Sequence, residues 1–191
     1  SITTVIIVVL VSSIAAYSLS RFKFKGRNIF SIVVLSSQLF PVAILLVPLY
    51  LIVNAVKLYD NHLALIISYA AIFLPFSIFL LLGFFNTIPK EMEEAAYIDG
   101  ATRFGAFIRI VLPNTGTGLS AVALFTFIGA WQEFLLSLSF IASTNKRTIP
   151  TGLSYFLGQY FSDYAGLMAT SVISSIPAII LFIFLQRYMV R

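Results

Sequence analysis

The sequence predicts an all-α integral membrane protein with five helices crossing the bilayer and a two-helix loop projecting from it. Three observations carry that expectation. Of 191 residues, 60% are hydrophobic and 10% charged, against about 25% charged in soluble domains, and the mean hydropathy is +1.01. Apolar runs of roughly 20 residues recur, the length that crosses a hydrocarbon core of about 30 Å. Between two of them lies a polar island holding Glu91, Glu93, Glu94 and Asp99, four of the seven acidic residues. An aromatic content of 15% at this apolarity excludes a disordered chain. With no cysteine, disulfides, thiolate metal sites and a cysteine nucleophile are excluded as well.

The first span covers residues 2–19, about 27 Å as a helix. Ser1 opens directly into it without an initiator Met or a basic leader, so a sixth span is expected to precede it. Arg21, Lys23, Lys25 and Arg27 follow as a basic loop. The second span, residues 29–53, holds Pro41 and Pro48, each removing a backbone donor and kinking the helix. A polar turn over 57–62 leads to the third span, 63–85, which carries Pro75. The fourth covers 115–141 and the fifth 164–185 with Pro177. Between those two, residues 142–163 are too polar and too broken by Pro150, Gly152 and Gly158 to cross, and read as an interfacial or shallow re-entrant turn. The chain as a whole reads as one domain, residues 1–191.

Loop charge orients the spans. With the basic loop, the island and the segment after Leu185 on one side, that side collects nine of the twelve Lys and Arg. The other keeps Lys57, Lys146 and Arg147. The positive-inside rule then places the island in the cytoplasm. On the opposite side, Asp60 and Asn61 read as turn formers, and His62, the single histidine, as a solvated loop residue with no co-ligands for a metal. Lys146 and Arg147 read as a solvated loop.

The island, residues 87–113, divides into two short helices. Pro89 suits a first helical position, Glu91, Glu93 and Glu94 favour the positive end of the helix dipole, and Gly100 after Asp99 suits a left-handed C-cap. Met92, Ala95 and Ala96 share a flat face of small residues. The second helix, 102–111, aligns Phe104, Phe107, Ile108 and Val111 on one stripe before Pro113 stops it. Physics alone fits a force-transmitting knob and a hairpin lying on the membrane surface equally well.

The spacing of Glu94-Ala95-Ala96, Gly100 and Ile110-Val111-Leu112-Pro113 resembles the EAA loop in permease subunits of binding-protein-dependent ABC importers. The likeness extends to residues 17–26, Pro41 with Pro48-Leu49-Tyr50, residues 89–102, Trp131-Gln132-Glu133-Phe134 and Gln186-Arg187. These look like the carbohydrate branch, typified by the second permease of the maltose transporter. Two departures stand out: Thr117 where the family often has proline, and no Gly- and Lys-containing tail beyond Arg191. In maltose-type relatives that tail reaches the ATPase.

The resemblance implies that the island is a coupling helix seated in a cleft of an ATPase subunit. Glu94 would pair with a cation there, Ala95 and Ala96 permit close packing, Gly100 supplies the turn, and Asp99, Ala101, Ile110, Leu112 and Pro113 belong to the same coupling loop. A surface charge favoured by the helix dipole is the plainer account of Glu94. The chain has no GxxxxGK[ST] phosphate loop, so it is read as non-catalytic, with ATP and Mg held by the partner. The implied partners are a second, similar permease, two ATPase subunits, an external solute-binding protein and the lipid of a bacterial or archaeal plasma (inner) membrane; nucleic acid is not among them.

Trp131, Gln132 and Glu133, with Gln38, are the candidates for a translocation pathway, since an ionisable group within a span faces a cavity or a partner. Trp131 would stack on a sugar ring while Gln132 and Glu133 bond its hydroxyls. Lining a subunit interface is the preferred alternative, because the sugar site of such transporters is expected mainly in the other permease. Glycerol phosphate, a peptide or an amino acid remain alternative solutes. An ion-coupled transporter or channel is disfavoured, since it would carry more intramembrane charge.

Overall fold

The computed structural model describes residues 1–157 and 163–189; Gly158 and Arg191, which entered the expectations above, lie outside them. The fold is all-helical. Helix α1 (Ile2–Arg21), α4 (His62–Thr87) and α11 (Tyr164–Met189) contain the three stretches long and apolar enough to cross a membrane. Two bent helix pairs raise the number of candidate spans to five.

The first bent pair is the second expected span, and it is broken where kinks were anticipated. Helix α2 (Arg27–Ser36) runs into a 3₁₀ turn, Ser37–Leu39, and α3 (Val42–Ala55) departs at 102°. Pro41 forces this, because its ring pushes the preceding residue out of the helical region. Phe40 accordingly sits at φ −85°, ψ 117°, and Pro41 becomes the N-cap of α3. Pro48 stays inside α3, Pro75 inside α4 and Pro177 inside α11.

The fourth expected span also breaks, at Glu133. Helix α8 covers Gly116–Gln132, about 26 Å long, and a separate helix, α9, covers Leu135–Phe140. Beyond it, the segment expected to turn back contains a 3₁₀ turn at Thr144–Lys146, α10 (Ile149–Leu153) and another 3₁₀ turn at Ser154–Phe156.

The loop helices are α5 (Lys90–Ile98), α6 (Arg103–Ala106) and α7 (Leu112–Asn114), the last two joined by a π-helical segment, Phe107–Val111. Pro89 is the N-cap of α5 rather than its first helical residue. Gly100, at φ 85°, closes α5 in a Schellman pattern: its N–H donates to Tyr97 O at 3.1 Å and that of Ala101 to Ala96 O at 2.9 Å. Pro113 does not stop the second helix. The π segment widens the turn ahead of it, where a proline ring would otherwise meet the carbonyl four residues back. The chain bends instead at Thr115, turning 77° into α8.

α1, α4 and α8 form the main core around Val8, Leu19, Leu81, Phe85 and Val122, and the loop enters it through Phe107 and Val111. The α4–α8 contact has a fixed register. A Cβ at Gly118 would lie 2.6 Å from the Phe84 ring, and one at Gly129 2.5 Å from Phe73. Both glycines and both phenylalanines are eleven residues apart, so two rings fill two backbone notches about three turns from each other. No residue of α2 is buried, nor any in the apolar stretch of α11.

Gly118→Ala and Gly129→Ala should each destabilise the protein by about 1–3 kcal/mol through overpacking. The expected readout is a lower melting temperature in detergent, largely restored in Gly129→Ala by adding Phe73→Leu.

Candidate functional site

The polar loop is joined to the membrane helices through Glu93. Tyr17 and Arg21 are four residues apart at the end of α1, and Glu93 and Tyr97 four apart on α5, so each pair shares a helix face. Where the faces meet, the Arg21 guanidinium bonds Glu93 Oε1 through Nε. The Tyr17 hydroxyl donates to Glu93 Oε2 at 2.7 Å, and the Tyr97 hydroxyl lies 3.5 Å from the same oxygen. Arg21 also donates to Ile88 O at 3.1 Å and to Ser20 Oγ at 3.2 Å, and Ser20 donates to Asn86 Oδ1 at 2.8 Å. The side chains of Arg21 and Glu93 are only 9% and 4% exposed, so both charges are desolvated. Aromatic packing encloses them: the Tyr17 ring centroid is 4.6 Å from that of Phe107, and the Arg103 guanidinium lies 5.3 Å over Phe22.

The residues singled out in the loop fall into two groups. Ala96, Asp99, Gly100, Ala101 and Ile110 line a shared open hollow of about 340 Å³, with Arg109. Glu94, Met92 and Ala95 are exposed on the loop surface, and Glu94 lines a smaller hollow with Lys90 and Arg103. Leu112 packs on the core, while Pro113 is exposed. The expected apolar stripe divides: Phe107 and Val111 are buried, whereas Phe104 and Ile108 are 67% and 44% exposed. Glu93 was the carboxylate missed, although its spacing to Tyr97, matched by Tyr17 and Arg21, was present in the sequence.

The pathway candidates do not converge. Glu133 lies in the break between α8 and α9 and caps α9: its carboxylate accepts from Leu136 N at 2.8 Å and Ser137 N at 3.1 Å. Tyr69 of α4 donates to it at 2.8 Å. Trp131 Nε1 donates to Ser174 O of α11 at 3.0 Å, and its ring stacks on Phe127 at 5.4 Å. Gln132 is exposed. Gln38 lines a separate hollow beside the break in the second span.

At the other end of the bundle, the residues expected to be solvated form a clamp. Asp60 has the left-handed φ of 56°. Its carboxylate accepts from Ala142 N at 3.0 Å, Ser143 N at 2.9 Å and Lys146 Nζ at 3.0 Å, and its own N–H donates to Phe140 O at 2.8 Å. His62 Nε2 lies 2.8 Å from Lys146 O, Asn61 caps α4 by accepting from Leu63 N at 2.9 Å, and Arg147 stacks over Tyr155. The Ser143 and Lys146 donors hold the Asp60 carboxyl well below the usual carboxylate range. No single residue in this turn announces the clamp, since its partners lie some 80 positions away. Among the described residues no cluster of His, Asp and Glu is arranged to hold a metal.

Two outcomes are expected. Glu93→Ala leaves a buried guanidinium unpaired, at a cost of about 3–5 kcal/mol, so the melting temperature falls and residues 87–113 become protease-sensitive. Arg21→Met combined with Glu93→Leu should be less destabilised than Glu93→Ala alone. For Asp60, a depressed folded pKa means that its contribution is present above the ordinary carboxyl range and is lost only as pH falls through the lower folded value. Hydrogen exchange at the Ala142 and Ser143 amides should therefore stay slow through the normal carboxyl titration and rise below it, whereas Asp60→Asn is less protected at neutral pH.

Comparison with known proteins agrees with this architecture. Residues 8–191 match the family described as "Binding-protein-dependent transport system inner membrane component". The chain is 44% identical over 188 residues to the probable ABC transporter permease protein YurM of Bacillus subtilis, covering 98% of this chain and 63% of that protein. It is 38% identical to the trehalose/maltose transport system permease protein MalG of Thermococcus litoralis, covering 94% and 65%. With the arabinooligosaccharides transport system permease protein AraQ of Halalkalibacterium halodurans it is 37% identical, covering 100% and 67%. The chain thus spans about two thirds of the length of these relatives. In fold it is similar to a chain of a bacterial ABC transporter involved in import of the acidic polysaccharide alginate, with a TM-score of 0.78 at 23% identity, over 98% of this chain and 74% of that one. With a family match over nearly its whole length and a loop built into its helical core, the chain belongs to the inner membrane components of binding-protein-dependent transport systems.

Proposed function

We propose that this chain is the membrane-spanning permease subunit of an ATP-driven importer, passing a sugar or oligosaccharide received from an external solute-binding protein. The observation that carries the reading is the way the 87–113 loop is held. Its buried carboxylate, Glu93, is committed to α1, while Glu94 and the apolar Phe104 and Ile108 remain exposed. A loop welded to the core at its base and open at its surface suits a docking partner that pushes on the helices. Relatives whose names specify trehalose, maltose or arabinooligosaccharides support a sugar as the solute.

In this reading the loop faces the cytoplasm, and each loop of a two-permease assembly seats in one of two ATPase subunits. ATP and Mg bind there, and this chain is non-catalytic. Glu94 pairs with a cation of that partner, the hollow lined by Ala96, Asp99, Gly100 and Ile110 receives a close-packed segment of it, and Leu112 and Pro113 lead the loop back to the core. The unburied faces of α2 and α11 meet lipid or the second permease. Trp131 and Glu133 hold the helices that flank the pathway, and Gln132 and Gln38 are the exposed polar groups beside it.

Losing one partner of a desolvated pair costs about 2–5 kcal/mol, roughly 30-fold or more in affinity. Glu94→Ala should therefore reduce co-purification of the ATPase and lower ATP-dependent sugar uptake in proteoliposomes. Uptake that is unchanged in the variant, or driven by an ion gradient without ATP, would overturn the proposal.

A further inference from the structure

We propose that the hollow at the break of the second span is a subsite for one ring of a neutral, polyhydroxylated solute. It rests on the importer reading above and adds a direct contact between this chain and the sugar. The hollow has a volume of about 210 Å³ and is enclosed by the 3₁₀ turn, the start of α3 and the middle of α4. That is below the ~300–1,000 Å³ of a complete ligand pocket, a size suited to one ring of a larger solute.

Its lining is unusual for an apolar protein because hydrogen-bonding groups without partners collect there. Ser68 is 5% exposed and lines the hollow, yet its hydroxyl makes no hydrogen bond among the described residues. The Gln38 amide is likewise unengaged and adds a donor and an acceptor. Pro75, inside α4, has no N–H to offer the carbonyl of Ala71, and both residues line the same space. Pro41 supplies no side-chain cap, so the first amides of α3, at Val42 and Ala43, are spare donors at the same break. Phe40 contributes an apolar face.

Donors and acceptors are thus mixed, and among the described residues no charged one lines the hollow. An ion would find no countercharge, and a purely apolar molecule would leave the polar groups unpaired at a cost of about 1–3 kcal/mol each. A sugar ring carries hydroxyls that donate and accept, together with an apolar C–H face, and satisfies both kinds of surface. The two prolines that break or thin the helices here create the site, as unwound backbone at membrane depth is tolerated where it lines a cavity.

These 191 residues contain no cysteine, so each introduced thiol is the only one among them, and the unsubstituted transporter treated in parallel controls for thiols elsewhere. In the full transporter with its binding protein and ATPase, reconstituted in proteoliposomes, Gln38→Cys and Lys57→Cys are each treated with a water-soluble methanethiosulfonate. The sugar is whichever of maltose, trehalose, arabinotriose or diacetylchitobiose the parent takes up with ATP. At ten times its half-saturating concentration, modification at position 38 should slow about tenfold, while that at the exposed position 57 does not change. Ser68→Ala should lower uptake of the same sugar about 2- to 10-fold without lowering the melting temperature, since the hydroxyl it removes faces the hollow and holds no other described residue. If the parent takes up sugar but position 38 is not protected and Ser68→Ala transports normally, the subsite is refuted and the importer reading stands. If the parent takes up none of the four, both fall.

Discussion

Everything at the loop end of this protein depends on one buried carboxylate. Glu93 is almost wholly removed from solvent, and that is tolerable only because a guanidinium and a tyrosine hydroxyl from α1 complete its hydrogen bonding. Their contact sets the angle between α5 and the first membrane helix. Phe107 and Val111 then reach the core shared by α1, α4 and α8. The loop is consequently a continuation of the bundle, and a displacement of its surface must move α1 and α4 or break a desolvated ion pair.

Proline is the second organising influence, and its effect differs with context. Pro41 severs a span because the residue ahead of it is driven extended. Pro75 and Pro177 remain inside long helices. Pro113 is absorbed by a π-helical turn, which moves the end of the loop to Thr115. One residue type thus has three outcomes along this chain.

Part of the structure was legible in the sequence. The helical class, the apolar segments and the division of the loop at Gly100 follow from local composition and from a backbone position that only glycine adopts easily. Pro41 marks the break at Phe40, though only as a kink, whereas the break at Glu133 lies in a run whose hydropathy reads as one span. Glu93 and Asp60 were harder to read. Their functions are defined by Arg21 and Tyr17 in one case and by Ser143 and Lys146 in the other, partners distant in the chain. Among the pathway candidates, Trp131 and Glu133 are two residues apart but are fastened to different helices, α11 and α4.

The paired notches between α4 and α8 bear on how such a bundle can move. Phe84 against Gly118 and Phe73 against Gly129 act like two teeth in two matching gaps. A shift of one helix along the other by a single turn would bring both rings onto positions that carry side chains. Ratcheting is therefore closed to this pair, and so is gradual sliding. A motion that keeps both rings seated carries α4 and α8 together as one stiff unit, and α1, packed on both, with them.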